Sequence, residues 1–373
     1  MLKSAKYVVP AGAALLAFAT LPGAVGAAGA ASQAAAASHA PRPLFAVLHS
    51  PQSRTIPTAG APTWTYSYSY LAHTYTDTFV GTNPTGGAST TVPTYIIPIK
   101  MSLSGFSPSP NKKLSNGKTV VANTIASPIF KNLDYKPGGT DVGTTQYIDA
   151  FQRAALWGTV SSNTGYHVLL GTPIVKPLQT FVVPAGDGVV AKEFGVKVVV
   201  ANINWFDAKA QSLITTLGIP SGALPIFLTT QTYLSNDGTT ATCCIGGYHS
   251  VSPSGLPYSQ FTYIQKSGAF SQDVSALSHE IGEYVDDPNT NNSNTPPACT
   301  ALGNHNSLYE VGDPIEVDTS PLYGDYPYAL GGFTYHLQDL VTPPYFGAPT
   351  STSVNGWQSF QGQSFTTVCQ NGG

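Results

Sequence analysis

The sequence predicts an α+β fold, a β-rich mixed or antiparallel sheet with a few helices, one of them at about residues 273–286. Three observations carry this. Short apolar stretches interleaved with Tyr, Thr and Ser recur along the chain, separated by Gly and Pro, of which there are 37 and 30 in 373 residues. Only three segments read as helices. Charged residues make up 9% of the chain, against roughly 25% in an ordinary globular domain. Such a composition, with no Lys/Arg cluster, excludes a coiled coil, a charged disordered tail and a nucleic-acid binder.

Taken in order, the chain opens on Lys3 and Lys6, then the apolar stretch 7–21, with Val25 and Ala27 placed as an A-x-A-like cleavage site. Residues 1–27 are therefore expected to be a signal peptide; a retained anchor is the competing reading. No later apolar run approaches the roughly 20 residues of a spanning helix, so no stable membrane span is expected after signal cleavage. The mature protein is expected to be secreted, extracellular or periplasmic. Residues 28–58, Ala-rich and then Ser/Pro-rich, read as a flexible leader. Residues 59–373 read as one α+β domain, with sub-lobes 59–235 and 236–373 as its natural division.

Within that domain, strands are expected at 63–71, at 94–101 with Pro98 interrupting, in 166–184, at 197–203, at 225–234 and at 260–265. Helices are expected at 147–157 and at 205–217, where Phe206, Ala210, Leu213, Ile214 and Leu217 recur at helical spacing before Gly218 and Pro220. The third helix, at 273–286, takes Ser271 or Asp273 as its cap and stops before Pro288. Beyond 288 the chain reads as mostly loop.

Four cysteines suit an oxidising compartment. Cys243 and Cys244 are adjacent, and a bond between neighbours is geometrically disfavoured, so each is expected to pair with Cys299 or Cys369, in either order. A thiolate metal site lacks the C-x-x-C spacing it would need.

The charge is unevenly placed. Residues 267–373 hold 11 of the 19 acidic side chains and none of the 16 basic ones. Of five Glu in the whole chain, Glu280, Glu283, Glu310 and Glu316 fall in this part. An acidic segment without a side-chain cation repels itself unless something positive binds, so the segment is either a solvated acidic face or a cation site.

The third helix contains Ser278-His279-Glu280-Ile281-Gly282-Glu283-Tyr284. His279 and Glu283, four apart, share one helix face, as the two ligands of the zincin H-E-x-x-H motif do, with Glu283 in place of the second His. A carboxylate is a competent zinc ligand, and Glu280 stands where the general base belongs. Val274, Leu277, Ile281 and Val285 form an apolar stripe on the opposite side, so the helix is expected to be backed by core and to face a cleft. The third ligand is expected downstream, in Glu310-Val311-Gly312-Asp313. In one assignment Glu310 binds the metal and Asp313 holds His279 Nδ1; in the reverse, Asp313 binds it. His249 is an alternative third ligand or a substrate-binding group, against a structural role held by hydrogen bonds. Tyr335 and His336 could bind substrate or stabilise an oxyanion, or simply pack. Asp286 and Asp287 would cap loops or hold Ca2+, and His305 is expected in solvent. There is no G-x-S-x-G elbow or isolated cysteine nucleophile. A glycosidase-type carboxylate pair stays compatible with the residues.

The run Asp273–Glu283, followed by Asp287-Pro288 and Glu310-Val311-Gly312-Asp313, resembles the phosphate-induced protein/exordium family of extracellular proteins, and Cys244, Tyr248-His249 and Cys369 look like counterparts of its Cys/His and terminal Cys positions. The resemblance covers roughly 240–370. Tyr147–Arg153 and Cys243–His249 are similar to segments of uncharacterised secreted bacterial proteins. It implies that His279, Glu280, Glu283 and Glu310–Asp313 form one site and that cell-wall association is in keeping; it carries no established activity. The expected function is a secreted metal-dependent hydrolase, a Zn2+ peptidase acting on an extracellular peptide, protein or cell-wall substrate. The alternative is a non-catalytic extracellular or cell-wall protein with a structural metal.

Overall fold

The computed structural model describes residues 44–48, 60–70, 72–292, 308–315 and 324–362. The expected signal peptide, Cys299, His305, Glu316 and Cys369 lie outside the described residues. The strands, in chain order, are β1 (Leu44–Leu48), β2 (Thr63–Tyr70), β3 (His73–Val80), β4 (Ser89–Val92), β5 (Thr94–Ser102) and β6 (Leu133–Tyr135). They continue with β7 (Gly143–Thr145), β8 (His167–Leu170), β9 (Ile174–Val175), β10 (Gln179–Val182), β11 (Gly188–Glu193) and β12 (Val196–Asn202). The last six are β13 (Leu224–Thr230), β14 (Thr232–Ser235), β15 (Cys243–Val251), β16 (Pro257–Tyr263), β17 (Asp325–Leu330) and β18 (Phe333–Gln338). The α-helices are α1 (Val120–Ile125), α2 (Tyr147–Ala155), α3 (Trp157–Val160), α4 (Ile203–Thr216) and α5 (Ser275–Asp286).

The fold is α+β, as its sequence predicts. A mixed ten-stranded sheet runs β10-β5-β13-β16-β15-β14-β12-β11, with β9 on β5 and β1 on β15. From β10 to β16 the neighbours are parallel, and β15 is antiparallel to both β16 and β14. Pairing of β13 with β16 carries the sheet across the expected division near residue 235, so the two sub-lobes share one sheet. The single strand expected over 225–234 is split in two by Gln231, whose φ of 48° breaks the extended run. The loop expected beyond 288 contains a hairpin, β17–β18, whose Tyr and Phe residues pack on the core. Residues 44–48, inside the expected flexible leader, form β1.

Alternation along each strand divides the interior into two layers. Ile97, Ile99, Met101 and Phe227 face α4, against Phe206, Ala210 and Ile214. Ile96, Ile226, Leu228 and Phe261 face the other way, onto α5 through Leu277 and Ile281. On β15 the same parity sends Tyr248 to the α4 side, where its hydroxyl donates to Asp207. His249 and Gly247 are thereby turned towards α5.

Helix α5 differs from its expected two-faced form. Every residue from Ala276 to Asp286 is buried, because β15, β16, β18 and β3 enclose it. Its polar side chains must therefore be satisfied inside the protein. Neither expected cap serves the helix: no side chain caps its start, and Asp273 turns instead to Val274 N and His336 N. On α2, Gln152 Nε2 donates to Asp286 Oδ1 at 2.6 Å, tying the two helices together.

Candidate metal centre

Three segments meet beside α5. The helix supplies His279, Glu280 and Glu283; β15 supplies His249; the loop Tyr309–Ile315 supplies Glu310 and Asp313. His279, Glu280, Glu283, Glu310 and His249 are all at most 1% exposed. Helical spacing delivers the first group, since residues three and four apart share a face. Strand parity delivers His249.

His279 Nε2 lies 2.9 Å from Glu283 Oε1 and 3.5 Å from Asp313 Oδ1. His249 Nδ1 lies 3.3 Å from Glu283 Oε2 and 3.5 Å from Glu280 Oε2, and its Nε2 is 3.8 Å from Glu310 Oε2. One ligand atom from each of His249, Glu283 and Glu310 falls within 4.8 Å of the others, and the same holds for His279, Glu280 and Glu283. Glu283 belongs to both groups. The atoms are close, yet His279 Nε2, both ring nitrogens of His249 and all four oxygens of Glu280 and Glu310 lack a hydrogen-bond partner among the described residues.

The orientation of His279 has a definite cause. Its Nδ1 is 2.9 Å from Gln338 Oε1, an acceptor only, so Nδ1 carries a proton in either charge state; Nε2 faces the carboxylates, donating to them when the ring is charged and offering its lone pair to a metal when it is neutral. Gln338 is itself fixed, its Nε2 donating to Gly312 O and its backbone N–H to Ser278 Oγ. The expectation that Asp313 holds Nδ1 is thus corrected. Asp313 lies on the Nε2 side, the side a metal would occupy, because the loop passes close against the ring at Gly312 and brings the next residue to Nε2.

Gly312 makes that passage possible. A Cβ at this position would lie 2.4 Å from His279 Nδ1 and 2.5 Å from Cε1. Gly312→Ala is expected to push the imidazole off its carboxylates and weaken zinc binding about 10- to 100-fold, measured by titration against a competing chelator. An unchanged affinity would refute this account of the glycine. Gly247 on β15 is equally constrained, since its Cβ would meet Glu280 Oε1 at 2.6 Å.

Electrostatics sharpen the picture. Among the described residues no Lys or Arg forms an ion pair with the cluster, whose only cationic groups are the two imidazoles. Burial alone would push His279 down, but Glu283, Asp313 and Glu280 outweigh it and hold the ring well above its ordinary value. His249 is raised in the same way, with Glu310, Glu280 and Glu283 overcoming burial. Burial raises Glu280 to about 8, and raises Glu310 well above the carboxylate range, with Glu283 adding to it. Burial and Glu283 likewise raise Asp313. Glu283 goes the other way: burial opposes its ionisation, but the two imidazoles prevail and lower it to about 2. Raised acids and raised imidazoles both mean that the chain alone holds protons here; with the four carboxyls ionised the cluster would be net negative even beside two charged rings, a charge that a divalent cation would match.

Other expected residues fall elsewhere. Tyr335 is buried with its hydroxyl 3.3 Å from Asn123 Oδ1. His336 pairs through Nδ1 with Asp273 Oδ2 at 2.5 Å, at the start of α5 rather than in the cluster. Asp287 caps the following loop, its Oδ1 accepting from Asn291 N and Asn292 N. Cys243 is bonded to Cys244 across a cis peptide with Cα atoms 3.0 Å apart, which corrects the expected pairing with distant cysteines. Gln338 had no sequence signal, being a lone glutamine on a strand. His249 had one, its place beside Tyr248 in an alternating strand.

Compared with known protein families, curated proteins and solved structures, the chain matches none.

Proposed function

We propose that this protein is a secreted, zinc-dependent hydrolase, a peptidase acting on an extracellular peptide or protein, with His249, His279, Glu283 and Glu310 as its metal ligands. The observation that supports it is the set of buried ring nitrogens and carboxylate oxygens that lie close together without hydrogen-bond partners among the described residues. Buried polar atoms are seldom left so, and a cation held by either three-residue group, both of which include Glu283, would satisfy several of them at once. Two imidazoles in the donor set favour zinc over calcium, which takes oxygen. Asp313 would be a further oxygen at the same ring nitrogen.

Zinc at this position would supply Lewis acidity, polarising a carbonyl and making water more acidic. Glu280 takes the proton from the attacking water as general base and returns it to the leaving amine. Its raised value is that of the chain alone; a neighbouring dication favours the carboxylate it needs to be. Gln338 keeps His279 in the tautomer that presents Nε2.

The test is elemental analysis of purified protein beside Glu280→Gln. One zinc per chain in both, with turnover of peptide substrates reduced about 10²- to 10⁴-fold in the variant, is the expected result. Equal turnover would remove Glu280 from the mechanism, and folded, never-chelated protein without stoichiometric metal would remove the zinc reading. A second reading, a structural metal in a non-catalytic cell-wall protein, is favoured by the near-complete burial of the cluster. Chelation separates the two: a structural ion costs a large drop in Tm, a catalytic one costs turnover with little melting.

A further inference from the structure

We propose that the edge of β15 beside His249 is a docking edge for an extended polypeptide, and that β1 is its built-in occupant, a strap that must leave before a peptide reaches the site. The inference rests on the hydrolase reading for its purpose, though not for its test.

The sheet geometry shows where the edge lies. One side of β15 is paired with β16 from Gly247 to Val251. On the other, β14 reaches only Cys243 and Ile245. From Gly247 to Ser250 that second side is covered by β1, in parallel register, Phe45 opposite Gly247 and Val47 opposite His249. With β1 gone, these backbone groups would form an unpaired edge, the template that extended peptides bind by strand addition.

Its side chain blocks the centre. The Phe45 ring stacks on the His279 imidazole, centroids 3.6 Å apart and planes at 23°, and meets Phe270 edge-on at 5.2 Å. His279 and Phe270 thus make an aromatic seat for one side chain of a bound strand, next to the ring that carries Nε2. The cluster beside it is at most 1% exposed at His249, His279, Glu280, Glu283 and Glu310, with Phe45 lying over the His279 ring and strands enclosing the rest of α5. A substrate cannot reach groups that solvent cannot.

The strap is also suited to leave. It is five residues long, pairs with no strand but β15 among the described residues, and lies in the Ala-, Ser- and Pro-rich stretch before the domain. A five-residue pairing adds little to the stability of a ten-stranded sheet, so its exchange for another extended chain leaves the fold standing. The occupant implied is a polypeptide in extended conformation with an aromatic or large apolar residue at the position of Phe45.

The test uses the full chain and a fluorescent synthetic peptide of residues 42–50. Phe45→Asp unseats the strap, and the variant is expected to bind the peptide at least about tenfold more tightly than the unaltered chain by fluorescence anisotropy. A peptide with N-methylated backbone amides is expected not to bind. A folded variant that binds neither peptide, or both equally, would overturn the proposal. If Phe45→Asp does not fold, hydrogen exchange on the unaltered chain decides. Excess peptide should speed exchange at 44–48 and leave 247–250 protected; exchange at 44–48 as slow as in β13, whatever the peptide concentration, overturns it. Neither readout uses the metal, so a zinc-loaded variant that binds the peptide without cleaving any peptide would sink the hydrolase reading and leave this edge intact.

Discussion

Glu283→Ala is expected to abolish stoichiometric metal binding, because Glu283 is the one side chain shared by both ligand groups. Its Oε1 faces His279 Nε2 and its Oε2 faces His249 Nδ1, so one truncation opens both groups. Partners outside the metal sphere typically cost 10- to 100-fold in affinity, so loss of this ligand should exceed about 100-fold. Zinc titration followed by elemental analysis reads the effect, with thermal unfolding as an independent check. Zinc should raise the Tm of the unaltered chain and leave that of the variant where it was. A variant that still holds one zinc per chain with unaltered affinity would show that the cluster is only a hydrogen-bonded acidic network.

The second large effect is on pH dependence. Chelated protein is expected to lose stability as pH rises from 5 to 8, and stoichiometric zinc to remove or reverse that loss. Burial raises Glu280 to about 8 and Asp287 to about 7, and raises Glu310 and Asp313 as well. A carboxyl raised on folding contributes stability fully present below its unfolded value, near 4, and lost as pH climbs through its folded one. Raised imidazoles at His249 and His279 act in the same sense, their contribution present below about 6.5 and lost only as pH passes their folded values. Within the cluster Glu283 alone is lowered, to about 2, and outside it Asp237 is lowered by its hydrogen bond from Thr242; their contributions are complete above their unfolded values and stay constant over this window. Every contribution that changes between pH 5 and 8 therefore has one sign. The groups share protons, so the net loss should be about 3 kcal/mol, below their sum. Metal binding needs the carboxylates ionised and the rings neutral, so it strengthens over the same range. Denaturant unfolding at pH 5, 6.5 and 8, with chelator and with zinc, measures both limbs. Chelated protein more stable at pH 8 than at pH 5 would contradict the burial of these acids.

Much of the centre is legible one residue at a time, since helix periodicity is a local property. His279, Glu280 and Glu283 needed only a helix over their span, which the apolar stripe and Pro288 specify, and α5 lies there. The acid-only stretch after Lys266 made a cation plausible before any fold was known. The expectation of a cleft-facing helix failed because amphipathicity reports on one layer of packing, while α5 is covered from several sides, by strands that follow and precede it in the chain.

The sequence by itself determined the α+β class, the helix that carries H-E-x-x-E and the sign of the charge around it, since propensity, spacing and composition act within a few residues. Only the tertiary structure decided that His249 is the second imidazole, that Gln338 rather than Asp313 holds His279, and that Phe45 lies across the ring. Those depend on sheet register and strand parity: whether a side chain faces α5 or α4 changes with a one-residue shift, and the register follows from packing of segments far apart in the chain.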